Sequence, residues 1–260
     1  MSWKGLLVSV RNADEATEAL AGGSAIVDVK EPLAGPLGAA VPATVAAIAR
    51  RVGSAVPWTL AGGELLDCGA DAEAGGARLL RFIDDVLAAL DSLPAPAAVK
   101  IGLSAGVDAP WCETLARLAP ALPRRIGLVA VAYADWQGCA APEPERVFSA
   151  AAGAGCRGLL VDTFDKLGPG LFRLVDRATI RRWVAHARAV GLPLGLAGKL
   201  SLDDVALAAS LGADVVGVRS VACMAGGLGR GEGDRLGIVE RDRVRRAVER
   251  FQAASGGEEW

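Results

Sequence analysis

The sequence predicts a single-domain (β/α)8 barrel, and three observations support this fold class. Eight short apolar runs alternate with amphipathic segments along nearly the whole 260-residue chain. Most of the runs are continuously apolar, as is typical of parallel strands buried on both faces. This length is common for one α/β barrel, and 52% hydrophobic residues can form a large core. An open doubly wound sheet is the alternative, but no GxGxxG or GxxxxGK[ST] fingerprint follows the first run.

Each strand is predicted where a short β-type run interrupts the amphipathic pattern. The eight strands are Gly5–Val10, Ala25–Val29, Pro57–Ala61, Ala98–Gly102, Ile126–Val131, Leu159–Asp162, Leu194–Ala197 and Val215–Val218. Helical spacing of apolar residues predicts the helices that follow them, at Ala13–Ala21, Pro42–Arg51, Gly75–Leu90, Pro110–Ala119, Pro142–Ala152, Arg177–Val190, Leu202–Leu211 and Val239–Ala254.

Capping residues support these helices. Asn12 and Asp14 lead the first helix, prolines occupy the likely first turns of the fourth and fifth, and Ser201 precedes the seventh. Glycines lie just beyond four helix ends, at Gly22, Gly153, Gly191 and Gly212. No linker divides the chain, so we expect one domain over residues 1–254 and a loose tail over 255–260. The longest predicted loops are Gly62–Gly76 and Gly226–Gly237.

Composition excludes several classes of function. A net charge of -2 argues against nucleic acid or an anionic membrane as the main partner. No apolar stretch approaches the roughly 20 residues that span a bilayer, and the first residues do not resemble a signal peptide. The five cysteines are scattered and never form a CxxC pair. We therefore expect a cytoplasmic protein with reduced thiols.

Lysine is rare in this chain, and its positions are informative. Only five of the 28 basic residues are lysine. Arginine stays protonated in proteins, whereas a partly buried lysine can lose its proton and act as a nucleophile or base. Four lysines lie at or near the ends of predicted strands, where barrel active sites are built: Lys30, Lys100, Lys166 and Lys199. We predict lysine chemistry there; solvated loop charges are the alternative.

Asp28 and Lys30 are predicted to share the barrel interior, because side chains two residues apart on a strand point to the same face. A carboxylate at Asp28 can hold the ammonium of Lys30 and move protons, although an ordinary buried ion pair is the alternative. Lys100 interrupts an otherwise apolar strand. Burying an unpaired ammonium is costly, so Lys100 needs a partner or a catalytic role.

A second carboxylate ends the sixth predicted strand. Asp162 is expected to point into the barrel mouth, and Lys166 is expected to fold back towards it from the following loop. A solvated turn is the alternative for Lys166 and Asp165.

The loops after the seventh and eighth strands are predicted to bind phosphate, as such loops commonly do in barrels of this class. They offer an amide, two cations and a hydroxyl, from Gly198, Lys199, Arg219 and Ser220. The alternative is that the two cations only line a wet rim.

Other chemistries lack the residues they require. His186 is the only histidine and belongs to a helical pattern. Without paired histidines or spaced cysteines, the sequence predicts no metal site. It also contains no GxSxG elbow and no Cys–His arrangement suited to acyl transfer.

Clustered lysines, two aspartates and a phosphate site suit imine chemistry on a phosphorylated aldehyde or ketone. A neutral lysine adds to the carbonyl, and the protonated imine then acts as an electron sink. A second lysine or a carboxylate moves protons at the neighbouring carbon. No cofactor is needed. The residues alone therefore predict a class I aldolase-like enzyme without naming its substrate.

Six segments also resemble one family. They are residues 6–10, 22–32, 35–39, 99–103, 162–166 and 217–219, with Cys223 following. Together they are similar to (5-formylfuran-3-yl)methyl phosphate synthase over nearly the full chain, most specifically in Asp-Val-Lys-Glu-Pro at 28–32 and Gly-Pro-Leu-Gly-Ala at 35–39. The resemblance implies a barrel lyase of methanofuran biosynthesis. Such an enzyme condenses two molecules of glyceraldehyde 3-phosphate through a lysine Schiff base, losing phosphate and water.

The resemblance also implies roles for individual residues. Lys30 would be the Schiff-base lysine and Lys100 the proton-transferring residue, with Asp28, Asp162 and Lys166 supporting them. Lys199 replaces a serine of the family pattern, so its assignment depends on its position alone. We expect a homo-oligomer, since barrels of this kind often associate. Two alternatives remain: an aldolase or transaldolase that acts on another sugar phosphate, and a non-catalytic barrel that binds sugar phosphates.

Overall fold

A computed structural model describes residues 3–66, 71–224 and 236–256. Its eight parallel strands form a closed barrel in chain order, and the first strand pairs with the eighth. The strands are β1 (Gly5–Val10), β2 (Ile26–Val29), β3 (Trp58–Glu64), β4 (Ala98–Gly102), β5 (Gly127–Tyr133), β6 (Gly158–Asp162), β7 (Leu194–Leu196) and β8 (Val215–Val218). The predicted (β/α)8 barrel is confirmed, and the open sheet is excluded.

At least one helix follows each strand, as the alternating pattern predicts. The helices are α1 (Ala13–Ala21), α2 (Pro42–Val52), α3 (Ala72–Leu90), α4 (Trp111–Ala121), α5 (Pro144–Gly153), the short α6 (Leu171–Leu174), α7 (Arg177–Ala189), α8 (Leu202–Ser210) and α9 (Arg241–Ser255). Two predicted start signals act as caps: Asn12 accepts a hydrogen bond from the Glu15 amide, and Ser201 forms a capping box with Asp204.

Two strands are longer at their carboxyl ends than the apolar runs predict. β3 continues through two glycines to Glu64, and β5 ends at Tyr133. Glycine weakens an isolated strand, but Glu64 pairs with Gly102 of β4 across a register shift. Because β4 pairs with this end of β3, the strand persists where local sequence predicts a loop.

The predicted loops and tail can be compared with the structure only in part. Gly62–Gly76 is not one irregular stretch, since it begins in β3 and ends in α3, which Asp71 caps. Residues 67–70 of this loop lie outside the described residues, as do 225–235 of the predicted Gly226–Gly237 loop and 257–260 of the predicted tail. No helix within the described ranges is long and apolar enough to cross a membrane.

The barrel interior changes from apolar to polar towards the carboxyl ends of the strands. Leu7, Ile26 and Val215 form an apolar cluster inside the barrel. Two residues further along their strands, on the same face, lie Ser9 and Asp28. These and the other interior polar residues are all buried: Ser9, Asp28, Thr59, Lys100 and Asp162. The fold thus gathers polar side chains from five strands at one end of the barrel.

Candidate active site

Asp28 lies at the centre of a buried hydrogen-bonded cluster. Its register partners on the neighbouring strands, Ser9 and Thr59, donate hydroxyl hydrogen bonds to it at 2.9 and 2.7 Å. The ammonium of Lys100 on β4 forms an ion pair with the same carboxylate. The sequence predicts that Asp28 holds the ammonium of Lys30, but its carboxylate pairs with Lys100 instead. The Lys100 side chain can reach Asp28 across the intervening strand β3 because Thr59 and Ala61 on that strand are small.

Lys30 follows β2 and lies among charged groups of both signs. Its Nζ atom is 3.9 Å from Oδ2 of Asp162 at the end of β6. Burial, and next the ammonium of Lys166, lower the pKa of Lys30 from 10.5 to about 7. The carboxylates of Asp162 and Asp28 oppose this shift without cancelling it. Near neutral pH a large share of Lys30 is therefore the neutral amine, which is the form that adds to a carbonyl.

Asp162 also forms an ion pair with Lys166. The Lys166 ammonium donates to Oδ1 of Asp162 at 2.8 Å and to the carbonyl of Thr163. Lys166 therefore folds back as predicted, and its side chain is only 12% exposed. Burial would raise the pKa of Asp162, but the ammonium groups of Lys166 and Lys30 and a Thr163 amide hydrogen bond hold it below 3.8. At neutral pH Asp162 accepts protons and does not donate them.

The loop after β7 has a backbone conformation that leaves no room for a side chain at Gly198. Gly198 has a φ of 109°, and a Cβ atom there would lie 2.8 Å from the methyl carbon of Thr163. Lys199 also has a positive φ, of 52°. Its ammonium donates to the carbonyl of Gly168, which ties this loop to the loop after β6. The predicted phosphate residues of this loop thus have a defined conformation.

Arg219, the other predicted phosphate cation, contacts a carboxylate. Its Nη1 and Nη2 atoms donate to Glu15 at 2.9 and 3.2 Å, and Nη1 also donates to the Ser9 carbonyl at 2.9 Å. Both ionic side chains are more than nine-tenths buried. Glu15 therefore compensates much of the positive charge of Arg219. Ser220, the residue after Arg219, begins a 3-10 turn.

All nine predicted site residues line one cavity of about 100 Å³ at the carboxyl end of the barrel. They are Asp28, Lys30, Lys100, Asp162, Lys166, Gly198, Lys199, Arg219 and Ser220. Leu7, Leu37 and Leu160 add apolar wall to this cavity, which we call the mouth. The mouth combines an amine of lowered pKa, two carboxylates and further cations in one cavity.

Sequence reasoning missed a second polar cluster near the carboxyl ends of β3, β4 and β5. The Tyr133 hydroxyl donates to Glu64, which also accepts hydrogen bonds from the Ser104 hydroxyl at 2.8 Å and the Ser104 amide at 3.1 Å. Burial, and then the Glu64 carboxylate, raise the pKa of Tyr133 well above 10. Tyr133 neighbours Asp162 in the sheet register. The one available signal was that Tyr133 is the only tyrosine in the chain.

Comparison with known proteins identifies the family. The sequence model of 4-HFC-P synthase matches residues 6–248. The chain belongs to the 4-HFC-P synthase family. The (5-formylfuran-3-yl)methyl phosphate synthase of Methanopyrus kandleri is 33% identical over 230 residues, which cover 87% of this chain and 92% of that protein. Its counterpart from Methanothermobacter thermautotrophicus is 32% identical over 252 residues, covering 94% and 97%.

A solved structure supports the fold of this 4-HFC-P synthase family member. Thiamine phosphate pyrophosphorylase from Pyrococcus furiosus superposes with a TM-score of 0.62, covering 98% of each chain at 14% identity. At that identity the likeness concerns the fold alone. The family resemblance inferred from the sequence motifs is confirmed. Two of those motifs, residues 28–32 and 162–166, contribute Asp28, Lys30, Asp162 and Lys166 to the mouth.

Proposed function

We propose that this chain joins two molecules of glyceraldehyde 3-phosphate into (5-formylfuran-3-yl)methyl phosphate through an imine on Lys30. It would act as a lyase in methanofuran biosynthesis. The observation that carries the proposal is the largely buried amine of Lys30, with a pKa of about 7, beside Asp162 and Lys166. The names of the two relatives support the choice of product.

Imine formation is the first step of the proposed reaction. The neutral amine of Lys30 adds to the aldehyde carbon, and the resulting hydroxyl leaves as water after protonation. The protonated imine then favours loss of a proton from the adjacent carbon, because nitrogen accepts the electron pair. Asp162 is ionised and its Oδ2 lies 3.9 Å from Lys30 Nζ, so it suits the role of base. Lys100, paired with Asp28, suits the return of protons to later intermediates.

Carbon–carbon bond formation follows. Loss of that proton expels the phosphate from the third carbon of the imine-bound triose, and this carbon then bonds to the second carbon of the other triose, which reacts as its enediol. The free hydroxyl of the first triose closes onto the aldehyde carbon of the second, and loss of two molecules of water forms the aromatic ring. Hydrolysis of the imine releases the aldehyde and restores Lys30. Over the whole reaction one phosphate and two molecules of water leave, which balances the atoms of two trioses against the product. We assign phosphate binding to the loops after β7 and β8, through Gly198, Lys199, Arg219 and Ser220.

Borohydride trapping tests the proposal. Reduction in the presence of glyceraldehyde 3-phosphate should leave a stable secondary amine on Lys30, which peptide mass mapping would locate. Lys30→Ala should give no adduct. Lys4→Ala removes an exposed lysine before β1 and should trap like the unmodified chain. A chain that binds triose phosphate but forms no adduct would exclude the imine mechanism. Analysis of the released product would separate this reaction from that of another aldolase.

The pH dependence of trapping is a further prediction. The initial rate should rise about tenfold per pH unit below pH 7 and level off above it, since only the neutral amine reacts. Lys166→Gln removes a positive charge that lowers the pKa of Lys30. The midpoint of the profile should therefore move to higher pH in this variant. Rates measured in one buffer series at constant ionic strength would show the shift, and an unchanged midpoint would contradict the assigned cause.

A further inference from the structure

A second cavity lies beside the mouth, between the helices that follow β7 and β8. Its volume is about 460 Å³, and it shares Lys199, Leu200 and Ser220 with the mouth. The remaining wall comes from the start of α8, from Val221 and from one face of α9. Lys30, Lys100 and Lys166 do not line it. We call this cavity the α8–α9 groove.

Positive charge dominates the groove. Arg243, Arg246 and Arg250 lie three and four residues apart on α9, a spacing that places them on one face of the helix. Lys199 adds a fourth cation from the loop after β7. Asp203 is the one acidic residue among the described residues that line the groove. The lining therefore favours an anion with more than one negative charge.

The cations are incompletely neutralised within the described part of the chain. Arg243 Nε lies 3.3 Å from Glu240 Oε2, yet it is buried and makes no hydrogen bond there. Arg250 lies 3.8 Å from Asp203, whose side chain is 90% exposed, so the pair is weak. Arg246 donates at 3.4 Å to the carbonyl of Asp242, which is a neutral acceptor. The groove thus retains donors and charge for a ligand.

Another arginine of the same helix shows the contrast. Arg245 lies outside the groove lining and contacts Asp242 at 3.0 Å and Glu249 at 3.9 Å. These are ordinary ion pairs within one helix. The positive face of α9 towards the groove is therefore not a general property of this arginine-rich helix.

We propose that the α8–α9 groove binds a phosphate monoester that carries an apolar body. Guanidinium groups match the geometry of phosphate oxygens and form charge-assisted hydrogen bonds with them. Leu200, Leu202 and Val221 supply apolar wall for the carbon part of the ligand. The aromatic phosphate of the proposed reaction belongs to this class, a link that rests on the proposed function.

Calorimetric titration with phenyl phosphate tests the groove, because this probe has no carbonyl and cannot form an imine. Arg246→Gln/Arg250→Gln should weaken binding at least about tenfold, since two charged donors are lost. Arg245→Gln is the matched control and should bind like the unmodified chain. Inorganic phosphate should bind at least about tenfold more weakly than phenyl phosphate, because it lacks the apolar body.

Two results would overturn the proposal. One is equal affinity of the double variant and the unmodified chain for phenyl phosphate, and the other is equal affinity of phenyl phosphate and inorganic phosphate. The phenyl phosphate result does not depend on whether Lys30 forms an imine. Absence of a borohydride adduct on Lys30 would refute the imine mechanism, while loss of phenyl phosphate binding in the arginine variant would still support the groove.

Discussion

Replacing Lys30 with methionine is expected to lower kcat for the proposed condensation by at least about 10⁴-fold, because no imine can form. Methionine has a similar length and removes only the amine. Lys30→Arg should lose as much activity, since arginine keeps a positive charge but cannot be deprotonated to attack a carbonyl. Rates of product formation at saturating triose phosphate would measure both losses. Activity retained by the arginine variant would mean that Lys30 acts only as a charge, which contradicts the imine role.

The stability of the same methionine variant serves as its folding control. The pKa of Lys30 falls from 10.5 to about 7 in the folded chain, so the unfolded chain binds more protons between these two values. Lys30 therefore opposes folding most strongly at and below about pH 7, and this cost disappears as the pH rises towards 10.5. Lys30→Met should raise the free energy of unfolding at pH 7, by up to about 4 kcal/mol. Urea titration would measure it.

Removing the Asp28 carboxylate is expected to cost about 3–5 kcal/mol of folding free energy. Asp28→Ala would leave the ammonium of Lys100 buried without its partner, since the two side chains are 1% and 3% exposed. The hydroxyls of Ser9 and Thr59 would lose their acceptor as well. Urea unfolding of the purified variant at neutral pH would measure the loss.

A second variant separates the charge effect from a simple packing defect. Asp28→Leu/Lys100→Met replaces both ions with apolar side chains, so no uncompensated charge stays buried. It should recover most of the stability lost in Asp28→Ala, although it would lack the proposed proton-transfer groups. Arg245→Gln breaks only exposed ion pairs and should change stability by less than about 1 kcal/mol. A double variant less stable than Asp28→Ala would contradict this account of the pair.

The sequence predicts the barrel and the membership of the mouth well, because both depend on local periodicity. Apolar runs repeat along the chain, and the rule that strand ends converge at one mouth brings Lys30 and Asp162 together from distant parts of the sequence. Side-chain alternation likewise places Asp28 inside the barrel. These inferences need only the strand period and the direction of parallel strands.

The ion pairs within the mouth depend on distances between side chains of different strands, which the strand period does not predict. Asp28 binds Lys100 across β3 instead of Lys30, which directly follows its own strand, since small side chains on β3 leave room for the contact. Arg219 meets Glu15 although 204 residues separate them. Long side chains near a shared cavity have several partners within reach, so packing chooses among them.

The sequence alone determined the fold class, the family and the set of lysines and aspartates that line the mouth. The tertiary structure decided the amine whose pKa is lowered, the contact between Tyr133 and Glu64, and the positive face of α9 beside the mouth. The physical reason is that the two sets of features depend on different neighbours. Strand and helix patterns arise from neighbours along the chain, whereas desolvation and charge compensation arise from neighbours in space, which only closure of the barrel brings together.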